Sequence, residues 1–183
     1  MSSNVGSKRN VKIFVLYLME NINYPLDFFT VNDIIMQTDY VMYLDFAESF
    51  AEMLDDELVE CVGKDERGDD LYMVTQRGRI VAAELKSDIL SSVLDQSLAC
   101  ALRYLNFKKR GIEARCTVTE EKNEKYKVSC TFTEKGEEIF RTELIVDSKN
   151  RADRMKSNFA ERPEAIFRGV NALLAGNVNY LFN

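Results

Sequence analysis

The spacing of apolar residues changes along the chain from helical to strand-like and back. Up to about residue 107, apolar side chains recur every three or four positions, which is typical of helices that bury one face. Between residues 112 and 146 they alternate with polar side chains, which is typical of strands with one buried face. Helical spacing returns between residues 149 and 175. The pattern therefore predicts a mixed α+β protein.

The first part of the chain is predicted to contain four helices and a β-hairpin. Thr30 is the expected N-cap of the second helix, and Asp45 that of the third, with Glu48 three residues later as in a capping box. A polar segment at 63–70, bracketed by glycines, separates two short apolar stretches and predicts a hairpin with a charged tip. The predicted elements are helices at 8–21 and 31–37, a third helix capped by Asp45, strands at 58–62 and 71–74, and a helix at 76–85.

The remainder is predicted to be a long helix followed by a small sheet and two closing helices. Rows of alternating side chains begin at Ile112, Tyr126 and Phe140 and are joined by short turns, so an antiparallel three-stranded meander is expected. The closing helices are expected to cover its apolar face. The predicted elements are a helix at 87–107, strands at 112–118, 126–132 and 140–146, and helices at 149–161 and 163–175. Two domains are therefore predicted, residues 1–86 and residues 87–183.

Composition narrows the possible functions. The chain has no histidine, which excludes Ser–His and Cys–His nucleophiles and the commonest general base. Its four cysteines are Cys61, Cys100, Cys116 and Cys130. None forms a close pair in sequence, so no zinc site is predicted and all four are expected to be buried and reduced. No glycine-rich phosphate-binding motif occurs. We therefore expect neither an enzyme nor a bound metal or cofactor.

The apolar runs of the chain are short. The longest, at 13–19, falls far short of the roughly 20 residues that a membrane-spanning helix needs. The start of the chain lacks a basic segment followed by an apolar stretch, so no secretory signal is predicted. These features lead us to expect a cytoplasmic protein without membrane contact.

The segment that ends the predicted hairpin resembles a known signature. Residues 72–78 read Tyr-Met-Val-Thr-Gln-Arg-Gly and resemble the Tyr-x-Leu-Thr-x-x-Gly pattern that ends the wing in MarR-like and PadR-like regulators. In that pattern the last strand runs directly into a helix. The resemblance implies that Thr75 caps this helix and that Gly78 allows close packing against the hairpin. The first domain thus resembles a winged helix-turn-helix domain.

Nearly the whole chain is similar to an uncharacterised bacterial family, domain of unknown function 4364. The similarity includes the Tyr24-Pro25-Leu26 corner, the third helix, the end of the hairpin and the strand-rich second half. It implies an N-terminal winged helix joined to a C-terminal domain made of a small sheet and helices. The role of that family is itself inferred from its winged helix.

A winged helix implies a DNA-binding transcription regulator, because such domains insert the third helix into the major groove and lay the wing over the backbone. Bases would be contacted from the third helix and the turn before it, and phosphates from the basic residues of the first helix and the wing. The candidate base contacts are Thr38, Tyr40, Tyr43 and Ser49, and the candidate phosphate contacts are Lys8, Arg9, Lys12, Lys64 and Arg67. Such regulators commonly bind as two-fold pairs, and the long helix is rich in apolar residues, so a homodimer is predicted.

Charge supports a second interpretation. Residues 1–79 contain seven basic and fifteen acidic residues, a net charge of −8, and the predicted third helix has no lysine or arginine. Phosphate neutralisation dominates affinity for DNA, so an acidic domain is an unusual DNA ligand. The alternative is a winged-helix module that does not bind DNA and whose acidic third helix contacts a basic protein partner.

Overall fold

The structure is a computed structural model that describes residues 7–177. The first six residues, in which no secretory signal is predicted, lie outside this range. The helices are α1 (Lys8–Ile22), α2 (Phe28–Met36), α3 (Tyr43–Asp55), α4 (Gln76–Leu85), α5 (Ser91–Lys109), α6 (Lys149–Glu161) and α7 (Pro163–Leu174). The strands are β1 (Leu26–Asp27), β2 (Val59–Lys64), β3 (Asp70–Val74), β4 (Ile112–Glu120), β5 (Tyr126–Glu134) and β6 (Glu137–Val146). The described residues thus form a mixed α+β protein with two three-stranded antiparallel sheets, ordered β1-β3-β2 and β4-β5-β6, which confirms the predicted class.

The chain divides into two compact units, the first ending at Tyr104 and the second beginning at Leu105. Helix α5 therefore contributes its first part to one unit and its last turns to the other. The domain boundary predicted at residues 86 and 87 stays a prediction, because compactness alone does not define which segment folds by itself.

Helix α1 is the centre of the first unit. Seven of its residues are buried, on more than one face, which is typical of a helix enclosed by neighbouring elements. It packs against α3, α4 and β3. Beside it, the rings of Phe28, Phe46, Phe50 and Tyr72 form an aromatic cluster with neighbouring centroids 5.2–5.6 Å apart. This cluster joins α2 and α3 to the sheet and so determines how α3 is held on the first unit.

Three predicted helix starts differ from the structure. The long helix predicted from 87 begins at Ser91, because Ile89 is extended and separates it from a 3₁₀ turn at Lys86–Asp88. Helix α2 is capped by Asp27, whose Oδ1 accepts a hydrogen bond from the backbone N–H of Thr30 at 2.9 Å, so Thr30 lies inside the first turn. Helix α3 begins earlier than expected, with Met42 at the N-cap and no side-chain cap, and Asp45 lies in its first turn. Short strand β1, which pairs with β3, ends at Asp27 and causes the difference at α2 because it fixes where α2 can begin.

The hairpin and the helix after it agree with the prediction. Strands β2 and β3 pair in antiparallel register, and Thr75 Oγ1 accepts a hydrogen bond from the N–H of Gly78 at 3.0 Å. A Cβ added to Gly78 would lie 2.2 Å from the carbonyl oxygen of Leu58 and 2.7 Å from Cγ1 of Val74. Gly78 is therefore the close-packing residue that the signature implies, since only a residue without a Cβ fits there.

The second unit is the predicted meander covered by helices. Residues of β4 alternate between the covered and the exposed face, and β5 pairs with both neighbours. The buried cluster of this unit contains Val128, Phe132, Ala152 and Phe159, so α6 packs against the sheet, with Ile166 and Phe167 of α7 partly buried against the same cluster. The predictions of three strands and two closing helices are confirmed.

The cysteines differ from the prediction in their burial. All four are free thiols, but only Cys130 is buried. Cys61 is exposed on β2, and Cys100 and Cys116 are partly exposed. The expectation of four buried cysteines is therefore wrong, because Cys61 occupies a strand whose residues from 60 to 64 all face solvent.

Candidate nucleic-acid interface

Lys8 and Lys12, two of the predicted phosphate contacts, form ion pairs with α3. Lys8 Nζ lies 2.6 Å from Glu48 Oε2, and Lys12 Nζ lies 2.8 Å from Glu52 Oε2 and 3.1 Å from Asp56 Oδ2. The hydrogen bond and charge of Lys12 lower the pKa of Glu52. The structure thus assigns these two lysines to the contact between α1 and α3.

The spacing of these charges explains the pairing. Glu48, Glu52 and Asp56 follow one another at four-residue intervals, so they lie along one side of α3. Lys8 and Lys12 have the same interval on α1, which packs against α3. This complementary spacing was visible in the sequence, but the packing of α1 on α3 was needed to interpret it. Much of the acidic character of α3 is therefore neutralised within the first unit.

Arg9, the third candidate on α1, is also paired. Its Nη1 lies 2.7 Å from Asp88 Oδ2, in the short 3₁₀ turn Lys86–Asp88 that precedes α5. Arg79 of α4 similarly pairs with Glu20 of α1 at 3.2 Å. These arginines connect elements of the first unit, and each of the three cations of α1, Lys8, Arg9 and Lys12, has a carboxylate partner.

Lys64 and Arg67 lie on the β2–β3 hairpin. Among the charged residues predicted to contact phosphate, these two have the most exposed side chains. Their side chains are 64% and 74% exposed. Lys64 pairs with Asp70 at 2.6 Å, and Arg67 pairs with Asp65 at 3.3 Å. Asp65 also accepts hydrogen bonds from the backbone N–H groups of Arg67 and Asp69, which shapes the turn. Both cations thus pair only locally, on the hairpin itself.

The candidate base contacts differ in where they lie. Tyr43, the first residue of α3, is 52% exposed. Tyr40 is half-buried with its ring against Phe14, and Thr38 donates a hydrogen bond to the carbonyl oxygen of Ile35 at 2.7 Å. Ser49 has no exposed surface, and its buried hydroxyl has no hydrogen-bond partner among residues 7–177. Ser49 therefore faces the core and has no access to a ligand in this structure.

The exposed face of α3 has a composition that the sequence pattern did not reveal. Leu44 is 67% exposed, and Ala51 and Asp55 are also exposed, with no basic residue anywhere on the helix. The face that a partner could contact is therefore apolar and acidic.

Arg77, in the first turn of α4, is a cation that the sequence-based choice of contacts omitted. Its side chain is exposed, and it forms no ion pair with any residue in the described range 7–177. The sequence shows that Arg77 follows the capping Thr75 closely. It does not show which of Arg77 and Arg79 forms an ion pair, because that depends on how α4 packs against α1.

Residues 7–177 contain neither a cluster of metal ligands nor a membrane-spanning helix. No three side chains of histidine, cysteine, aspartate or glutamate converge there in a way that could hold a metal ion. In the same range, no helix combines the length and the apolar character needed to cross a membrane.

The molecule is thus a mixed α+β protein in which a helical unit with a cation-bearing hairpin precedes a helix-covered meander. The family model of DUF4364, a domain of unknown function, matches residues 11–174. The chain belongs to this family, in agreement with the similarity seen in the sequence. No curated protein and no solved structure was found to match the chain.

Proposed function

We propose that the first unit is a winged helix and that the protein is a DNA-binding transcription regulator. The observation that carries the proposal is the order of elements: three helices, then a hairpin whose last strand runs directly into a capped helix. In a winged helix the third helix enters the major groove and the hairpin lies along the backbone. Here those elements correspond to α3 and to the β2–β3 hairpin.

The hairpin is the best source of phosphate contacts. Lys64 and Arg67 are exposed, and their carboxylate partners lie on the same turn. Exposed ion pairs contribute little to stability, so a phosphate can replace a carboxylate as the partner at small cost. Base contacts are assigned to Tyr43 and the turn before it, with Thr38 and Tyr40. Lys8 and Lys12 would then orient α1 on α3, Arg9 would hold α1 to the 3₁₀ turn before α5, and Ser49 would contact no base.

The exposed face of α3 favours a second candidate function. Leu44, Ala51 and Asp55 form an apolar and acidic surface to which α3 itself contributes no cation, and this suits a protein partner with a basic, partly apolar face better than a phosphate backbone. In this alternative the winged helix is a protein-interaction module that does not bind DNA.

Substitutions at Ala51 distinguish the two functions. Ala51 is exposed in the middle of α3, so Ala51→Arg and Ala51→Glu change the charge of the face without opening the core. If α3 enters the major groove, Ala51→Arg should tighten binding to duplex DNA severalfold and Ala51→Glu should weaken it, because one cation near phosphates adds about one released counterion. Fluorescence anisotropy with a labelled duplex measures both. Equal DNA affinity of the two variants would support the protein-interaction alternative.

We also propose a homodimer. Leu102 on α5 and Leu90 just before it are exposed, which leaves apolar surface at this helix uncovered in the single chain. Sedimentation equilibrium at micromolar concentration should give twice the mass of 21.1 kDa. Replacing Leu102 with a charged residue should return the protein to the single-chain mass, whereas a wild-type protein that sediments as a monomer would refute the proposal.

A further inference from the structure

Cys116 and Cys130 lie opposite one another on neighbouring strands of the second unit. They are direct partners in the antiparallel register of β4 and β5. Opposed residues in such a pair have Cα atoms about 4.5–5.5 Å apart, within the roughly 4.4–6.8 Å that a disulfide spans. Their Sγ atoms are 2.9 Å apart, and both residues are free thiols. The backbone register and the side-chain positions therefore independently meet the geometric requirement for a disulfide.

The two thiols differ in access to solvent. Cys130 is buried in the cluster that contains Phe132 and Phe159, whereas Cys116 is partly exposed and lies on β4, an edge strand of the β4-β5-β6 sheet. Burial, and then the hydrogen bond with Cys116, raise the pKa of Cys130 to about 12. Because Cys116 is the more exposed of the two thiols, a reagent from solution reaches it first.

We infer that Cys116 and Cys130 are a dithiol site that small-molecule disulfides, of the oxidised-glutathione class, convert into a cross-strand disulfide. The Cys116 thiolate attacks one sulfur of the small disulfide, which forms a mixed disulfide and releases one small thiolate. Cys130 then loses its proton to solvent, and its sulfur attacks Sγ of Cys116, which releases the second small thiol. Two protein thiols are oxidised and one small disulfide is reduced to two thiols, so electrons and atoms balance.

The second step is favoured by position. Cys130 Sγ already lies beside Cys116 Sγ, so the mixed disulfide is attacked within the same molecule by a neighbouring sulfur. The new bond joins β4 to β5 and closes a loop that contains the turn between them. Such a link restricts the unfolded chain, so oxidation is expected to raise the melting temperature of the protein.

The test is oxidation of the native full-length chain with excess oxidised glutathione, followed by alkylation and tryptic mapping. Trypsin can cut after Arg115, Lys122, Lys127 and Lys135, so the two cysteines fall in separate peptides, 116–122 and 128–135. We expect these peptides to be recovered joined and without glutathione. The exposed Cys61 is an internal control, and the reaction is continued until Cys61 carries glutathione. Recovery of Cys116 and Cys130 as alkylated thiols at that point would overturn the inference.

Two single-cysteine variants separate the two chemical steps. In Cys130→Ser, Cys116 is expected to remain joined to one glutathione, because the thiol that displaces it is absent. In Cys116→Ser, Cys130 is expected to remain a free thiol, because it is buried. A stable glutathione on Cys116 in the wild-type protein would contradict the proposed resolving role of Cys130.

Discussion

Replacing Gly78 with alanine is expected to lower the free energy of unfolding by about 2 kcal/mol, although the substitution favours a helix. In an exposed helix interior, alanine is preferred over glycine by about 1 kcal/mol. At Gly78 the new Cβ would lie 2.2 Å from the carbonyl oxygen of Leu58. That oxygen also accepts a hydrogen bond from the N–H of Thr75, so the backbone at Leu58 cannot move away without disturbing the start of α4. Overpacking of this kind costs about 1–3 kcal/mol or more and outweighs the helix preference.

Chemical denaturation followed by circular dichroism measures the effect. A matched control is Ala83→Gly, at an exposed position of the same helix, where only the helix preference changes and a loss of about 1 kcal/mol is expected. Gly78→Ala and Ala83→Gly should therefore both lower the free energy of unfolding, although they are opposite substitutions. A Gly78→Ala protein that is as stable as the wild type would show that α4 does not lie this close to the backbone at Leu58.

Removing both hairpin cations, with Lys64→Ala and Arg67→Ala, is expected to weaken DNA binding by roughly 10- to 60-fold at about 0.1 M salt. The loss should be similar for all duplex sequences, because contacts with phosphates orient the protein without reading bases. If both side chains contact phosphates, the slope of log affinity against log salt should decrease by about 1.8, at roughly 0.9 per contact. Replacing Tyr43 should instead alter sequence preference more than the salt slope.

The control for this prediction removes the same charge elsewhere. Lys122 and Lys125 lie exposed in the turn between β4 and β5, so Lys122→Ala with Lys125→Ala changes the net charge equally on another exposed turn. If affinity for duplex DNA falls by the same factor in both double variants, only the net charge of the protein matters and the hairpin has no special role. Unchanged affinity and slope in the Lys64/Arg67 variant would remove the hairpin from the binding surface and favour the protein-interaction alternative.

The predictions from sequence were best where structure is local. Strict alternation of apolar and polar residues from Ile112 onward predicted the meander. A segment with this alternation fits a strand with one covered face and few other structures. The predicted cap of α2 was wrong because two oxygen-bearing residues, Asp27 and Thr30, lie at its start. The predicted cap of α3 was wrong because that helix begins after Met42 without a side-chain cap. Pairing of β1 with β3, a contact distant in sequence, selects Asp27 rather than Thr30.

The candidate interface was less predictable because its charges depend on packing between helices. The sequence showed too few cations for DNA and an acidic third helix. It did not show that Lys12 neutralises Glu52 and Asp56, nor that Ser49 faces the core. Both facts follow from the way α1 and the aromatic cluster hold α3, which is a tertiary arrangement.

The most direct test of DNA binding is selection of bound duplexes from a random-sequence pool at low salt, using the full-length chain. The proposal predicts that one sequence class is enriched and that the protein then binds it at least about 1,000-fold more tightly than a shuffled duplex. It also predicts that affinity falls steeply as salt is raised. A chain that retains no duplex at low salt, in a preparation shown to be folded by its cooperative unfolding, would contradict the proposed function.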